Sequence, residues 1–291
     1  MSFSSDIKQE LNKSTNLANK KLVKQELNGY LISGNVSIIN NKTLKFSTES
    51  DYNINRLSKL LSNLNMNHNI DISGKNFIIT INQKEIDWIY ISEKKIYLKE
   101  DLPQKEDDKK AFIRGAFMGG GSINNPENKY HLEIDFSNNE NQEKVKRLLE
   151  EVGIDFKVLQ NDKKSALYLK EGEEISNFLA YIGANKAVMQ FENIRIQREM
   201  RGKVNRIVNC ESANLNKTIN ASIEQIAAIK KLQDNKQFNK LDDKLKEIAT
   251  LRLENPDIPL SELGKMLKEP LGKSGVNYRL KKIIEIANNI K

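Results

Sequence analysis

The sequence predicts an α+β chain: a duplicated αββαββα unit over residues 1–190, a basic helical arm and linker over 191–240, and an all-α bundle over 241–291. Three observations carry this reading. The same order of helix-spaced and strand-alternating apolar residues occurs twice before residue 190. Gly29 and Gly115, Leu60 and Leu148, and Ile86 and Ile175 recur at offsets of 86, 88 and 89, the slow drift that duplication with small loop insertions leaves. After residue 240 only helical spacing remains, interrupted by Pro256 and Pro259.

The first repeat opens with a helix over 20–33, where Leu22, Val23, Leu27, Tyr30 and Leu31 fall on one face. Two short strands follow within 35–48, around an Asn40–Asn41 turn. Ile54, Leu57, Leu60, Leu61 and Leu64 mark a second helix, 70–72 and 77–81 read as strands around Gly74, and 84–91 reads as a short helix. The second repeat runs from a helix over 107–118 into strands either side of Asn124-Asn125-Pro126. Tyr130, Leu132, Ile134 and Phe136 alternate as a half-buried strand does. A helix over 139–151 carries Val145, Leu148 and Leu149, strands over 154–159 and 165–170 flank the turn at Asn161, and a helix over 172–181 closes the unit.

Residues 192–233 are mostly helical and arginine-rich, ending in a long helix over 218–232; the polar run 233–240 reads as an interdomain linker. Helices over 241–253, 260–268 and 274–290 then build the bundle, with 269–273 as a turn.

Composition narrows the function classes. A chain of 291 residues with 38% hydrophobic and 30% charged side chains can bury sizeable cores,. No run approaches the ~18 to 20 apolar residues that cross a bilayer, and the opening Met1-Ser-Phe-Ser-Ser-Asp lacks a basic region before an apolar one. A single cysteine, Cys210, allows no internal disulfide, and two distant histidines, His68 and His131, offer no zinc spacing,. The expectation is a cytoplasmic chain without membrane, metal or cofactor. The formal charge is +8, and residues 192–240 hold 10 basic against 5 acidic side chains. Such clustering suits a polyanion, although a lysine-rich solvated surface produces the same sum.

Two motifs carry the chemistry. Each repeat begins with a helix bearing small residues four apart, Gly29 with Ser33 and Gly115 with Gly119. A glycine inside a helix costs ~1 kcal/mol relative to alanine, so the pair points to two helices in close contact. A phosphate-cradling role for Gly119-Gly-Gly-Ser122 is disfavoured, because that loop follows a helix rather than preceding one. The second motif is a helix-turn-helix: Leu260, Leu263, Gly264 and Leu267 on one helix face Val276, Leu280 and Ile283 on the next, with Ser274 as its N-cap. The far side displays Asn277, Tyr278, Arg279, Lys281 and Lys282, with Lys273 just before, and there is no acid between Pro270 and Lys282. Donors without carboxylates suit a helix in the major groove of double-stranded DNA; a basic protein-binding module is the alternative. Arg195, Arg198, Arg201 and Arg206 are candidate phosphate contacts, or partners of Glu192, Glu199 and Glu211. His68 and His131 read as surface or strand residues, Trp88, Phe112 and Phe117 as core, and Cys210 as a small buried hydrophobe.

Ile113-Arg-Gly-Ala-Phe-Met-Gly-Gly-Gly-Ser-Ile123 resembles the LAGLIDADG motif of homing endonucleases, and Leu27-Asn-Gly-Tyr-Leu-Ile-Ser-Gly-Asn35 is a looser copy. The resemblance implies that the motif helices pair between two halves and that an acid near each helix end binds a catalytic divalent metal. Those positions fall on Gly34 and Gly120, which cannot ligate one. Arg201-Gly-Lys-Val-Asn-Arg-Ile-Val-Asn-Cys-Glu-Ser-Ala-Asn-Leu-Asn-Lys217, the opening Met1-Ser-Phe-Ser, residues 114–126 and Lys273-Ser-Gly-Val-Asn-Tyr-Arg-Leu-Lys-Lys282 together resemble the WhiA family nearly end to end. That implies a non-enzymatic, sequence-specific DNA-binding transcriptional regulator linked to cell division and chromosome segregation. It would bind DNA chiefly through the C-terminal domain, with the transcription machinery or other regulators as further partners. Asn35-Val36 departs from the family's usual Gly-Ser. The runner-up is a site-specific endonuclease using Asp135 with Asp51 or Glu140, and a third reading gives the N-terminal domain a protein or small-molecule ligand.

Overall fold

A computed structural model describes residues 2–290 apart from 15, 16, 41, 162 and 163. Asn41 of the expected Asn40–Asn41 turn, and Asp162 and Lys163 after Asn161, therefore lie outside the described residues. The chain divides into two compact units, Met1–Glu199 and Met200–Lys291.

The first unit opens with helix α1 (Phe3–Ser14), followed by α2 (Lys20–Ile32), strands β1 (Val36–Ile39) and β2 (Thr43–Thr48), α3 (Asp51–Asn63), β3 (His68–Ser73) and β4 (Asn76–Asn82). The second half repeats the order with α4 (Glu106–Gly120), β7 (Gly121–Ile123), β8 (Leu132–Phe136), α5 (Asn139–Glu151), β9 (Lys157–Asn161), β10 (Lys164–Leu169) and α6 (Gly172–Ile182). The two sheets have the same strand order, β1-β2-β4-β3 and β7-β8-β10-β9, all antiparallel. The duplication also reaches the polar core. Ser50 and Asn138 cap α3 and α5. Asn53 and Asn141, three residues further on, are buried, and each donates its side-chain amide to a distant carbonyl, Met118 at 2.7 Å and Ile96 at 2.9 Å.

Two expectations fail here. Residues 84–91 are not a helix: a 3₁₀ turn at Gln83–Glu85 leads into a hairpin of β5 (Ile89–Ser92) and β6 (Lys95–Leu98). The strand expected over 154–159 is displaced to β9, and α1, which the sequence reading omitted, contributes Ile7 and Leu11 to the core.

Helix α7 (Asn185–Asp234) is continuous, where separate segments were expected; its residues up to Glu199 belong to the first unit and the rest to the second. The second unit continues with a 3₁₀ turn (Phe238–Lys240), α8 (Asp243–Glu254), α9 (Leu260–Lys265) and α10 (Lys273–Asn288). Ala228, Ile229 and Leu232 of α7 share a core with Leu245, Ile248, Leu263, Val276, Leu280 and Ile283, and Phe238 packs against it. The polar run 233–240 therefore sits inside this unit. Among the described residues no helix is long and apolar enough to cross a membrane.

Candidate nucleic-acid interface

The glycines of α2 and α4 let the two backbones touch. A Cβ at Gly29 would stand 2.1 Å from the Phe112 carbonyl oxygen, one at Gly115 would stand 1.9 Å from that of Glu26, and one at Gly119 would stand 2.3 Å from Ser33 Oγ. Beside this contact lies a buried ion cluster. Glu26 receives two bonds from Arg56, Nε to Oε1 at 2.7 Å and Nη2 to Oε2 at 2.8 Å, and a further pair from Arg114 at 3.1 and 3.0 Å. Tyr30 donates its hydroxyl to Asn53 Oδ1 at 2.8 Å, and burial pushes its pKa up.

At the ends of these helices, where the resemblance puts metal-binding acids, stand Gly34 and Gly120. Strand β8 fills the space. Gly34 N–H donates to the Asp135 carbonyl at 2.8 Å, Ser33 bridges Phe136, and Asn35 Nδ2 donates to the Gly119 carbonyl at 2.6 Å. A Cβ at Gly34 would lie 2.8 Å from Asp135 Cβ, and one at Gly120 would lie 2.4 Å from Asp135 O. The residues present therefore do not fit a two-carboxylate metal site, and there is no room to add the acids. Of the runner-up's acids, Asp135 is at this point, Glu140 pairs with Lys144 at 2.7 Å, and Asp51 is exposed on the first turn of α3. No group of three or more His, Cys, Asp or Glu able to hold a metal occurs among the described residues.

The basic arm is less uniform than its sequence. Arg195 Nη1 pairs with Glu192 at 3.1 Å. Arg198 donates to the Pro126 carbonyl at 2.6 Å and lies over the Tyr130 ring at 4.4 Å. Both line a cavity of about 590 Å³ with Glu171, Glu173 and Glu174 in the first unit. Arg201 and Arg206 are exposed in the second unit. Cys210 is exposed as well, against the buried role expected for it.

In the second unit, α9 and α10 form the expected pair. Gly264 is buried, its carbonyl accepts from Leu271 N–H at 3.0 Å, and a Cβ there would stand 2.1 Å from the Leu271 carbonyl oxygen and 2.9 Å from Val276 Cγ2. The N-cap of α10 is Gly272, not Ser274, which is exposed inside the first turn. Val276, Leu280, Ile283 and Ala287 face the core. At about 100° per residue, Lys273, Ser274, Asn277, Tyr278 and Lys281 fall within one outward sector of about 140°. Asn277 and Arg279 are both half-buried and stand about 160° apart, one on either flank of the exposed face. Lys282 stands at the sector's edge and lines a cavity of about 390 Å³ with Lys240 and Asp242.

One residue that positions this face was not singled out from sequence. Arg252 of α8 is 1% exposed and donates from Nη1 to the carbonyls of Asn255, Pro256 and Ile258 at 3.3, 3.2 and 2.9 Å. It fixes the turn between α8 and α9, and burial lowers its pKa. Ser222 of α7 donates to the same Pro256 carbonyl at 2.5 Å. The available signal was an arginine on the apolar side of a helix, spaced with Leu245, Ile248 and Ala249.

Comparison with known proteins gives these parts a common origin. Residues 109–201 match the family of WhiA LAGLIDADG-like domains, and residues 204–287 match the family of WhiA C-terminal HTH domains. The chain is 38% identical to the "Probable cell division protein WhiA" of Clostridium tetani (strain Massachusetts / E88), over all of this chain and 98% of that one. It is 47% identical to the protein of the same name in Clostridium beijerinckii, over 72% of this chain and 65% of that one. Among solved structures it resembles full-length DUF199/WhiA from Thermatoga maritima, with a TM-score of 0.62 and 28% identity over 100% of this chain and 99% of that one. An N-terminal LAGLIDADG domain of DUF199/WhiA aligns with a TM-score of 0.52 and 26% identity, covering 62% of this chain and 92% of that one.

Proposed function

The chain belongs to the WhiA family, and from that premise we propose that it is a non-enzymatic, sequence-specific regulator of transcription that binds double-stranded DNA through α10. It is a cytoplasmic, nucleoid-associated protein tied to cell division and chromosome segregation, and its LAGLIDADG-like unit serves as scaffold. The observation that carries the reading is the outward face of α10 over residues 273–282: five side chains able to donate hydrogen bonds, no carboxylate before Glu285, and a fixed turn behind it. Asn277 can pair with adenine, and Tyr278 and Lys281 lie beside it, while Lys273 at the first turn is placed for phosphate. Arg279, half-buried like Asn277, flanks the same face on its other side and can pair with guanine edges.

The test uses duplexes selected by the protein from a random pool, with scrambled duplexes as reference. Asn277→Ala should lose ~1 to 3 kcal/mol on the selected site and little on the scrambled one. Arg279→Ala should behave like Asn277→Ala, whereas Lys282→Ala should weaken both alike and flatten the salt dependence by about one ion. An Asn277→Ala protein with wild-type selectivity would remove α10 from the groove.

No nicking of supercoiled plasmid is expected with Mg²⁺ or Mn²⁺, because hydrolysis of this kind needs carboxylates to hold metal and activate water. Gly34→Asp with Gly120→Asp should not restore it, since both side chains collide with β8. Metal-dependent cleavage that disappears in Asp135→Asn would establish the endonuclease reading instead.

A further inference from the structure

In the second unit, residues 200–220 of α7 form a helix with almost nothing packed on it. Every residue in that stretch is exposed except Gly202 and Thr218, which are half-buried. Its composition is poor for a solvated helix: Gly202, the β-branched Val204, Ile207, Val208, Thr218 and Ile219, and five asparagines,. It also holds large apolar side chains in water, with Met200 and Leu215 each 61% exposed, Ile207 58%, Val204 57% and Val208 51%. Ile223, one turn beyond, is another 61% exposed, and Ile219 is 42% exposed. Helices in proteins draw most of their stability from packing an apolar face, so this one requires an occupant.

The spacing identifies that occupant. Met200, Val204, Val208, Leu215, Ile219 and Ile223 follow at intervals of four, four, seven, four and four, a pattern that reads identically in both directions about a midpoint between Glu211 and Ser212. A twofold interface needs a self-complementary patch. Two antiparallel copies of this helix provide one: Met200 meets Ile223 of the second copy, Val204 meets its Ile219, and Val208 meets its Leu215. Recurrence at eleven residues, Val204 to Leu215 and Val208 to Ile219, keeps the stripe on one face of a slightly right-handed pair. Six side chains at roughly 100 Å² each give roughly 600 Å² per chain, the lower end of the size range for specific interfaces. Arg206 and Lys217 point away from the stripe at about 100° per residue, and Arg201, which falls within its sector at one end, stands opposite position 222, a serine, so no two like charges of the copies meet there. We propose that the chain forms a homodimer through antiparallel pairing of α7 about a dyad between Glu211 and Ser212. Glu211 flanks the dyad and meets its own copy there, one like-charge contact that limits affinity.

The test is the oligomeric state of the full chain by sedimentation equilibrium up to about 100 µM. The wild type should dimerise. Val208→Glu with Leu215→Glu should raise the dissociation constant roughly 100-fold or more, with the unfolding curve of Trp88 in the first unit unchanged. Glu211→Leu should tighten the dimer, roughly tenfold. In a Cys210→Ser background, a mixture of Val208→Cys and Leu215→Cys chains should cross-link to each other more than either does to itself. A wild type that stays monomeric at the highest concentration would assign the stripe to a different protein and overturn the proposal. So would a dimer that survives the paired glutamates, a weaker dimer in Glu211→Leu, or cross-linking of like with like.

Discussion

Gly115→Val is expected to leave the first unit unfolded. The cost follows from one distance: a Cβ at residue 115 would stand 1.9 Å from the Glu26 carbonyl oxygen and 2.8 Å from its carbon. Those atoms are backbone, so no rotamer change relieves the overlap, and α2 and α4 must move apart. Separation unseats Glu26 from Arg56 and Arg114, a cluster whose members are 2% and 12% exposed beyond Glu26 itself. Uncoupling a buried charge of this kind costs about 3 to 5 kcal/mol by itself, and a typical domain has only about 5 to 15 kcal/mol of stability. Trp88 is the sole tryptophan; it packs against this unit's core with its indole N–H on Asn28 at 2.7 Å, so its fluorescence in a urea titration reports this unit. A Gly115→Val chain within about 1 kcal/mol of wild type would disprove the close contact.

The close contact was legible because a glycine in a helix interior is costly and four-residue spacing has few other uses. The repeat was legible because apolar period survives duplication. What escaped was structure held by conformations that sequence marks poorly. The β5–β6 hairpin turns at Glu93 and Lys94, both at positive φ, 50° and 58°. That turn normally announces itself with Asn-Gly, and without it the stretch around Ile86 and Ile91 reads as helical. Ser274 looked like a cap because serine usually is one, yet the chain already turns at Gly272. Cys210 was placed in a core on average behaviour, but α7 leaves it on an exposed face. The empty metal position was visible as Gly34 and Gly120. That β8 occupies it was not, because residue 135 is brought there by a pairing a hundred positions away along the chain.

The second large effect belongs to Gly264→Val, which should abolish DNA binding while leaving the first unit intact. The obstacle is the turn more than the helix crossing: the Cβ would lie 2.1 Å from the Leu271 carbonyl oxygen, against 2.9 Å from Val276 Cγ2. Leu271 N–H donates to the Gly264 carbonyl at 3.0 Å, so α9 and the start of α10 are tied at this residue. A branched side chain breaks the tie and displaces Lys273, Ser274 and Asn277 together, whereas Asn277→Ala removes one contact and leaves the frame. Overpacking against fixed backbone costs upward of ~1 to 3 kcal/mol, drawn from a core of thirteen buried apolar side chains among the described residues. Affinity should then fall on selected and scrambled duplexes alike, helical ellipticity should drop, and the Trp88 transition should stay where it is. Gly275→Ala separates position from residue type, since the atoms nearest its Cβ are Leu271 side-chain atoms at 3.5 Å and beyond, and it should be tolerated. Were Gly264→Val to bind selected duplex as the wild type does, α10 would owe nothing to its seat on α9, and DNA contact would have to be sought at Arg201 and Arg206.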